Sequence, residues 1–327
     1  NYTETKSSAA SDVYKRQRFY HNPGHFRSVS LPRRPAWRPL SVRVAEGILR
    51  RRSTRARMSG LRRIQARMQH CDLLITAEWC VPVEGPPVTL KDHAVAVTDG
   101  RIVGLLPVAE AVRQFQPSRT VERPGHVLIP GLVNTHTHAA MTLFRGFGDD
   151  LELEPWLKQR IWPAEQRWLG PEFVRDGTSL AIAEMLLGGV TCFADQYFFP
   201  EIVASTAVDL HIRAVVGTPV LDFETEWARD AREYLEKSAD LVHDPYADHP
   251  LVTSAFAPHS SAALTDEDFI ELRVMADQLD IPVQIHLHET RTEIEKAVTN
   301  TGMRPIERLS RLGLVNLSLI HISEPTR

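Results

Sequence analysis

Apolar and polar positions change their spacing along the chain, and from about residue 127 onward two patterns alternate. Short apolar runs, which suit buried strands, are separated by longer segments whose apolar positions recur at helical spacing. Parallel strands need crossover connections that are usually helices, so this alternation predicts a parallel sheet covered by helices. The predicted strands are 127–138, 190–194, 212–217, 251–257 and 283–287, and the predicted helices are 178–187, 202–209, 227–243, 266–279 and 306–312.

The segment before these strands has a different pattern. Residues 72–83 and 93–105 are β-rich runs in which apolar and polar positions alternate. The second run is interrupted by Asp99-Gly100, a dipeptide typical of two-residue hairpin turns. These features predict a small antiparallel β unit, followed by one or two helical turns over residues 109–115.

Histidines and acids stand where the predicted strands stop. His136 and His138 end the first strand, and Asp195, His259 and His286 end or follow later ones. Reactive side chains at the carboxyl ends of several parallel strands are typical of the (β/α)8 barrel. The pattern therefore predicts this barrel, with about five of its strands in the chain. The role of Asp195 stays open at this point.

The spacing of His136 and His138 suggests what the first strand end does. Side chains two residues apart on a strand point to one face, so both imidazoles can reach one point, although two solvent-facing histidines would show the same pattern. A third histidine joins them if the first and fifth strands line one barrel mouth, and His286 and His288 qualify equally by face parity. Three imidazoles with an open position form a catalytic zinc site, where the pKa of bound water falls to about 7.

Glu289 lies just beyond the fifth predicted strand, three residues after His286. From this place a carboxylate can take a proton from metal-bound water and pass it to a leaving group. An acid at the N-terminal end of a helix is also favoured by the helix dipole without any catalytic role, so both interpretations stay open.

Charge and cysteine content narrow the class of protein and its compartment. The chain has a net charge of −3, yet residues 18–67 contain 14 Arg, no Lys and a single acid, so the remainder is acidic. An acidic body argues against a nucleic-acid partner, and no apolar run approaches the roughly 18 residues of a membrane span. The three cysteines form no CxxC pair and no even framework, which predicts a reducing, cytoplasmic location.

Both ends of the chain have sequences that we interpret as foreign to the fold. Residues 7–17, SSAASDVYKRQ, and residues 317–327, LSLIHISEPTR, read as in-frame translations of the two arms of a transposase-type sequencing adapter. We exclude both segments from the fold prediction in the way that tags and fusion scars are excluded.

The Arg-rich residues 18–67 read as translated DNA upstream of the true start. An organelle transit peptide and a polybasic tail are the alternatives, but the absence of Lys favours read-through. Met68 is then the predicted natural start, with Met58 as the alternative. Residues 1–67 are accordingly predicted to be a non-native or disordered leader.

Four sequence blocks in order and at barrel spacing resemble one superfamily. PGLVNTHTHAAMTLFRGFGDDLELEPWLKQRIWPAE, GGVTCFAD, AFAPHS and QIHLHET are similar to the amidohydrolase superfamily, within it to the deaminase and chlorohydrolase branch that includes 5-methylthioadenosine/S-adenosylhomocysteine deaminases. The resemblance covers about residues 71–316, somewhat over half of such an enzyme. It implies an α/β fold, a (β/α)8 TIM barrel of amidohydrolase type truncated after about five strands. Residues 68–126 would form a small N-terminal β-sandwich part, and residues 127–316 a partial metal-dependent hydrolase barrel.

The resemblance also implies a role for each candidate site residue. His136, His138 and His286 would be the metal ligands, which favours His286 over His288, and would hold one Zn²⁺ or Fe²⁺ per subunit. Glu289 would be the proton shuttle that protonates the ring nitrogen as metal-bound hydroxide attacks the amino-bearing carbon.

Three further residues are implied on the substrate side. His259 would contact the substrate and the reacting water. Glu165 matches the carboxylate that holds ribose hydroxyls in adenosine-type deaminases, and Trp156 matches an aromatic wall over the substrate.

The implied function is hydrolytic deamination of an aminated purine or related heterocycle, with release of ammonia. A chlorohydrolase or other amidohydrolase of the same branch is the first alternative. The second is an inactive fragment that cannot close its barrel, since the remaining metal ligand of the family, an aspartate after the eighth strand, would lie beyond residue 316; His321 is not given a site role. A small-molecule substrate is implied, nucleic acid and membrane are not, and a homo-oligomer is compatible with the sequence.

Overall fold

The computed structural model describes residues 68–83, 87–243, 246, 249–316 and 318–322. The chain divides into two compact units, Asn1–Ile64 and Gln65–Arg327, of which the first lies outside the described residues. The predictions of a non-native leader and of adapter-derived residues 7–17 therefore also lie outside them.

The first described part of the chain forms a four-stranded sheet. Asp99 and Gly100 make the turn between its second and third strands with φ of +49° and +69°, so the predicted hairpin is confirmed. The elements are β1 Gln69–Cys80, β2 Leu90–Thr98, β3 Arg101–Pro107, α1 Val108–Gln114 and β4 Phe115–Leu128, with strand order β3-β2-β1-β4.

The prediction of a purely antiparallel unit is wrong in one respect, because β4 pairs in parallel with β1. The segment α1 carries the chain from one edge of the sheet to the other, and this crossover sets the direction of β4. A small core of Leu74, Ala111 and Phe115 lies under the sheet. The structure gives one sheet here, and the second layer that a sandwich requires stays a prediction.

The larger part is a curled sheet of six parallel strands, consistent with a partial TIM barrel. Strands that follow one another in the sequence are also neighbours in the sheet, which runs β10-β9-β8-β7-β6-β5. Four of the predicted strands are confirmed. The first, predicted over 127–138, is divided between the two sheets, because residues 127–128 end β4 and β5 begins at Leu132 after the break at Pro130-Gly131. The six observed strands are β5 Leu132–Thr137, β6 Val190–Gln196, β7 Arg213–Val220, β8 Val252–Pro258, β9 Val283–His286 and β10 Leu319–Ile322.

The sixth strand, β10, lies in the segment interpreted as adapter. Leu319 pairs with Val283 and Ile320 with Gln284, in parallel register. The sheet thus continues one strand beyond the predicted truncation point, because alternating apolar residues suit a strand whatever their origin. The origin of residues 317–327 itself stays a prediction.

Helices connect the parallel strands, and the predicted ones are confirmed with shifted ends. Between β5 and β6 the chain also forms a 3-10 helix, a short helix with a π-helical turn, and a second short helix. In chain order these are the 3-10 helix Ala139–Phe144, α2 Leu153–Trp156, the π-helical turn Leu157–Ile161, α3 Trp162–Trp168, α4 Pro171–Leu187, α5 Pro200–Asp209, α6 Ala231–His243, α7 Asp266–Leu279, α8 Arg291–Thr301 and α9 Pro305–Arg311.

Two apolar clusters fill the space between the sheet and its helices. One surrounds Tyr234, Phe256 and Phe269, and the other surrounds Ile182 and Phe193, all with less than 2% of their surface exposed. Burial of this apolar area holds the strand ends in place. Within the part of the chain that the structure describes, no helix has both the length and the apolar character to cross a membrane.

Gly177 allows α4 to approach the 3-10 helix that follows His138. A Cβ at residue 177 would lie 2.3 Å from the carbonyl oxygen of Ala140 and 2.8 Å from its Cα. Backbone atoms cannot yield as a flexible side chain does, so the close approach requires glycine.

We therefore expect Gly177→Ala to lower the free energy of unfolding by about 1–3 kcal/mol, although alanine is the better helix former. Urea denaturation followed by circular dichroism measures this change. Gly170→Ala is the matched control, because a Cβ there meets no atom within 4 Å. Equal stability of the two variants would contradict the packing argument.

Candidate active site

Three histidines from opposite sides of the curled sheet converge at its carboxyl edge. His136 is the penultimate residue of β5, and His138 directly follows that strand. His286 is the last residue of β9. Their ring centroids are 4.8 to 5.2 Å apart, and one potential ligand nitrogen from each lies within 4.8 Å of the others. The curl of the sheet brings β5 and β9 together, so this cluster has a suitable geometry for holding a metal ion.

His288, the alternative that face parity left open, faces elsewhere. Its backbone has φ of +61°, a left-handed conformation that ends the strand and redirects the side chain. Its Nε2 accepts a hydrogen bond from the backbone N–H of Ile306 over 3.3 Å. His288 therefore ties the turn after β9 to the start of α9, and the structure brings His286 to the cluster instead.

Backbone carbonyl groups set the orientation of two of the three rings. Nδ1 of His138 lies 2.6 Å from the carbonyl oxygen of Gln196, and Nδ1 of His286 lies 3.1 Å from that of His259. A carbonyl only accepts, so each Nδ1 carries the proton and the lone pair of the neutral ring is on Nε2. This is the support that metal-binding histidines usually have.

Asp195, whose role the sequence left open, is buried beside this cluster. Its Oδ1 accepts hydrogen bonds from the backbone N–H of Ala139 and the hydroxyl of Thr137. Burial raises the pKa of this carboxyl group above its ordinary value.

His259 and Glu289 lie beside the histidine cluster in the same cavity. The ring of His259 stacks on that of His286 with centroids 5.1 Å apart. Glu289 lies in the turn after β9, where its backbone N–H donates to the carboxylate of Glu293 over 2.7 Å. The sequence did not single out Glu293, although Thr290-x-x-Glu293 is a helix-capping pattern that points to it.

Glu165 and Trp156 line the cavity from α3 and α2. Oε1 of Glu165 accepts from the hydroxyl of Tyr197 over 2.7 Å, and burial raises the pKa of both groups. Tyr197 follows β6 and was not predicted, because no sequence pattern connects it to α3. The indole N–H of Trp156 donates to the carbonyl of Phe147, which holds the ring at the cavity wall.

The seven predicted site residues therefore lie in one region. Six of them line one open cavity, and His136 touches two of these through its ring. The six are His138, Trp156, Glu165, His259, His286 and Glu289.

Comparisons with known proteins match the part of the chain that contains these residues. A model of the Amidohydrolase family matches residues 127–323, which include the curled sheet and the histidine cluster. The chain is 42% identical over 256 residues to a 5-methylthioadenosine/S-adenosylhomocysteine deaminase of Saccharophagus degradans, covering 77% of this chain and 57% of that protein.

Solved structures of a deaminase and of a chlorohydrolase are also similar to this chain. An adenosine deaminase from Xanthomonas campestris with bound zinc is 51% identical, with a TM-score of 0.76, and the match covers 78% of this chain and 58% of that one. A zinc-bound atrazine chlorohydrolase from Arthrobacter aurescens has a TM-score of 0.69 at 20% identity over 76% of this chain and 60% of that one, a likeness of fold alone. The chain spans somewhat over half the length of these relatives.

Proposed function

Because the chain belongs to the amidohydrolase family, we propose that the polypeptide carrying it is a metal-dependent hydrolytic deaminase of an aminated purine or related heterocycle. One observation carries the proposal: three imidazoles converge at a cavity that the glutamate after β9 also lines. Hydrolytic deamination needs an activated water and a group that moves its protons, and this region offers residues for both. The deaminases among the similar proteins support the same reaction.

The donor set fits zinc. Three converging imidazoles, of which His138 and His286 are held through Nδ1 with the lone pair on Nε2, suit Zn²⁺, and Fe²⁺ is the alternative. We propose one ion per subunit, held by His136, His138 and His286. When bound, the ion supplies a nucleophilic water at neutral pH.

Glu289 is proposed to move the protons. Its carboxylate takes a proton from the attacking water and gives it to the neighbouring ring nitrogen, so that oxygen adds to the amino-bearing carbon. The second proton of the water passes to the amino group, the carbon–nitrogen bond breaks and ammonia leaves. The hydrogen bond from the Glu289 backbone to Glu293 holds the turn from which this carboxylate acts.

His259, Glu165 and Trp156 are proposed to bind the substrate. The ring of His259, which stacks on that of His286 and lines the cavity, can form a hydrogen bond beside the reacting carbon. Glu165, oriented through Tyr197, accepts from ribose hydroxyls, and Trp156 covers the base.

Ammonia release tests the proposal directly. The complete reading frame that contains this chain is expressed and supplied with 5-methylthioadenosine, S-adenosylhomocysteine, 5′-deoxyadenosine and a chlorinated triazine. We expect ammonia from at least one of the purine nucleosides. Turnover of the chlorinated ring with no ammonia from any purine would reject the deaminase in favour of a chlorohydrolase.

A further inference from the structure

Asp195 is a buried acid to which the proposed reaction gives no role. It is the penultimate residue of β6 and is 1% exposed. We propose that Asp195 is a positioning residue, whose carboxylate holds the end of β5 so that His136 and His138 direct their rings to one point. This inference rests on the metal site proposed above, and adds to it a residue that does not itself bind the ion.

Both hydrogen bonds of Asp195 Oδ1 reach the residues that flank His138. The backbone N–H of Ala139 donates over 2.6 Å. The hydroxyl of Thr137 lies 2.8 Å from Oδ1 and 2.9 Å from the carbonyl oxygen of Ala194, so its one proton is shared between these two acceptors. The next residue of β6, Gln196, accepts the ring N–H of His138 over 2.6 Å. Two adjacent residues of β6 therefore hold the residues on both sides of His138 and the ring itself.

The strand pairing is irregular at the place where Asp195 acts. Asn134 pairs with Phe193 and Thr137 pairs with Asp195, so β5 has one residue more than β6 over this step. Such a bulge interrupts the ladder of hydrogen bonds and redirects a side chain. Ala139 then begins a 3-10 helix, whose first N–H groups have no partner within the helix. The carboxylate of Asp195 supplies the acceptor that the interrupted ladder and the new helix both lack.

The second oxygen of the carboxylate also favours a role at the metal site. Among the described residues, Oδ2 of Asp195 is buried and has no hydrogen-bond partner. A buried carboxylate with an unsatisfied oxygen is a costly way to hold a strand end unless positive charge lies nearby. Asp195 bonds to the two residues that flank His138, so a divalent cation held by the rings of His136 and His138 would lie near this carboxylate and offset its charge.

Zinc affinity, measured by competition with a chromophoric chelator on the 327-residue chain, tests the inference. We expect Asp195→Ala to weaken zinc binding by about 10- to 100-fold. Asp195→Asn keeps an oxygen for Thr137 and Ala139, so its affinity should fall between those of Asp195→Ala and the parent chain. The Co²⁺ absorption spectrum of each variant reports ligand geometry, which a role in stability alone would not alter.

A pair of matched threonine variants keeps the test decisive if Asp195→Ala does not fold. Thr137→Val removes the hydroxyl that is shared between Asp195 and the carbonyl of Ala194, and should weaken zinc binding several-fold. Thr178→Val makes the same substitution at a fully buried residue whose hydroxyl has no hydrogen-bond partner within the described part of the chain. It should leave zinc affinity unchanged.

The outcomes separate this inference from the metal site on which it rests. If the parent chain binds no zinc, or binds it no better than His136→Ala does, both the metal site and the positioning role of Asp195 are overturned. A parent chain that binds zinc at the histidines, together with a folded Asp195→Ala of equal affinity and spectrum, overturns the inference alone. Equal effects of Thr137→Val and Thr178→Val overturn it as well.

Discussion

Replacing both His136 and His138 with alanine is expected to reduce the metal content from about one ion per chain to none. The two residues supply two of the three converging imidazoles, and the single imidazole that remains, His286, cannot hold a divalent ion against water or buffer. Elemental analysis after gel filtration in the presence of zinc measures the change directly, without requiring turnover.

The control for this pair is a double replacement outside the cluster. His93 and His126 lie in the four-stranded sheet, where their rings bond to nearby backbone carbonyls. Changing both to alanine removes the same number of histidines and should leave the metal content unchanged. Stoichiometric zinc retained after loss of His136 and His138 would rule these two out as ligands.

Glu289→Gln is expected to lower kcat for deamination by about 10²- to 10⁴-fold while the metal content stays constant. Glutamine keeps the size of the side chain and leaves the backbone bond to Glu293 in place, but it cannot take a proton. Ammonia release under saturating substrate, with zinc measured on the same sample of the complete protein, separates the proton-transfer role from a structural one.

Glu295→Gln is the matched control for this variant. Glu295 lies on α8, is exposed, and does not line the cavity that contains the histidine cluster. Its replacement should leave kcat within about twofold. A Glu289→Gln protein that turned over substrate as fast as Glu295→Gln would show that another group moves the protons.

Local patterns predicted those elements whose stability is local. The bounds of α7, Asp266–Leu279, agree with the prediction because Thr265 and Asp268 form a capping box at its start. The hairpin at Asp99-Gly100 was likewise readable, since both residues tolerate positive φ.

Elements that depend on distant partners could not be predicted from local sequence in the same way. Strand β4 contains two prolines and is mostly exposed, so only its pairing with β1 makes it a strand. Helix α8 has no buried residue, and its apolar period is limited to Ile294, Ala297 and Val298, too short to predict a helix by itself.

The site residues also differ in whether local sequence patterns could predict them. The HxH spacing of His136 and His138 was sufficient to propose half a metal site, because period-two geometry is local. The choice between His286 and His288 could not be made from parity, since it depends on the left-handed turn at His288. Tyr197 gave no signal at all, because its bond to Glu165 joins residues that only the fold brings together.

The two halves of the histidine cluster differ in how much chain must be organised to form them. The bond between His286 and His259 joins residues 27 positions apart, whereas that between His138 and Gln196 joins residues 58 positions apart. The chain entropy lost on closing a loop rises by about 0.6 kcal/mol for each doubling of its length. Joining His138 to Gln196 therefore costs about 0.6 kcal/mol more in loop closure than joining His286 to His259, so the β5 half of the cluster requires more of the chain to be ordered than the β9 half.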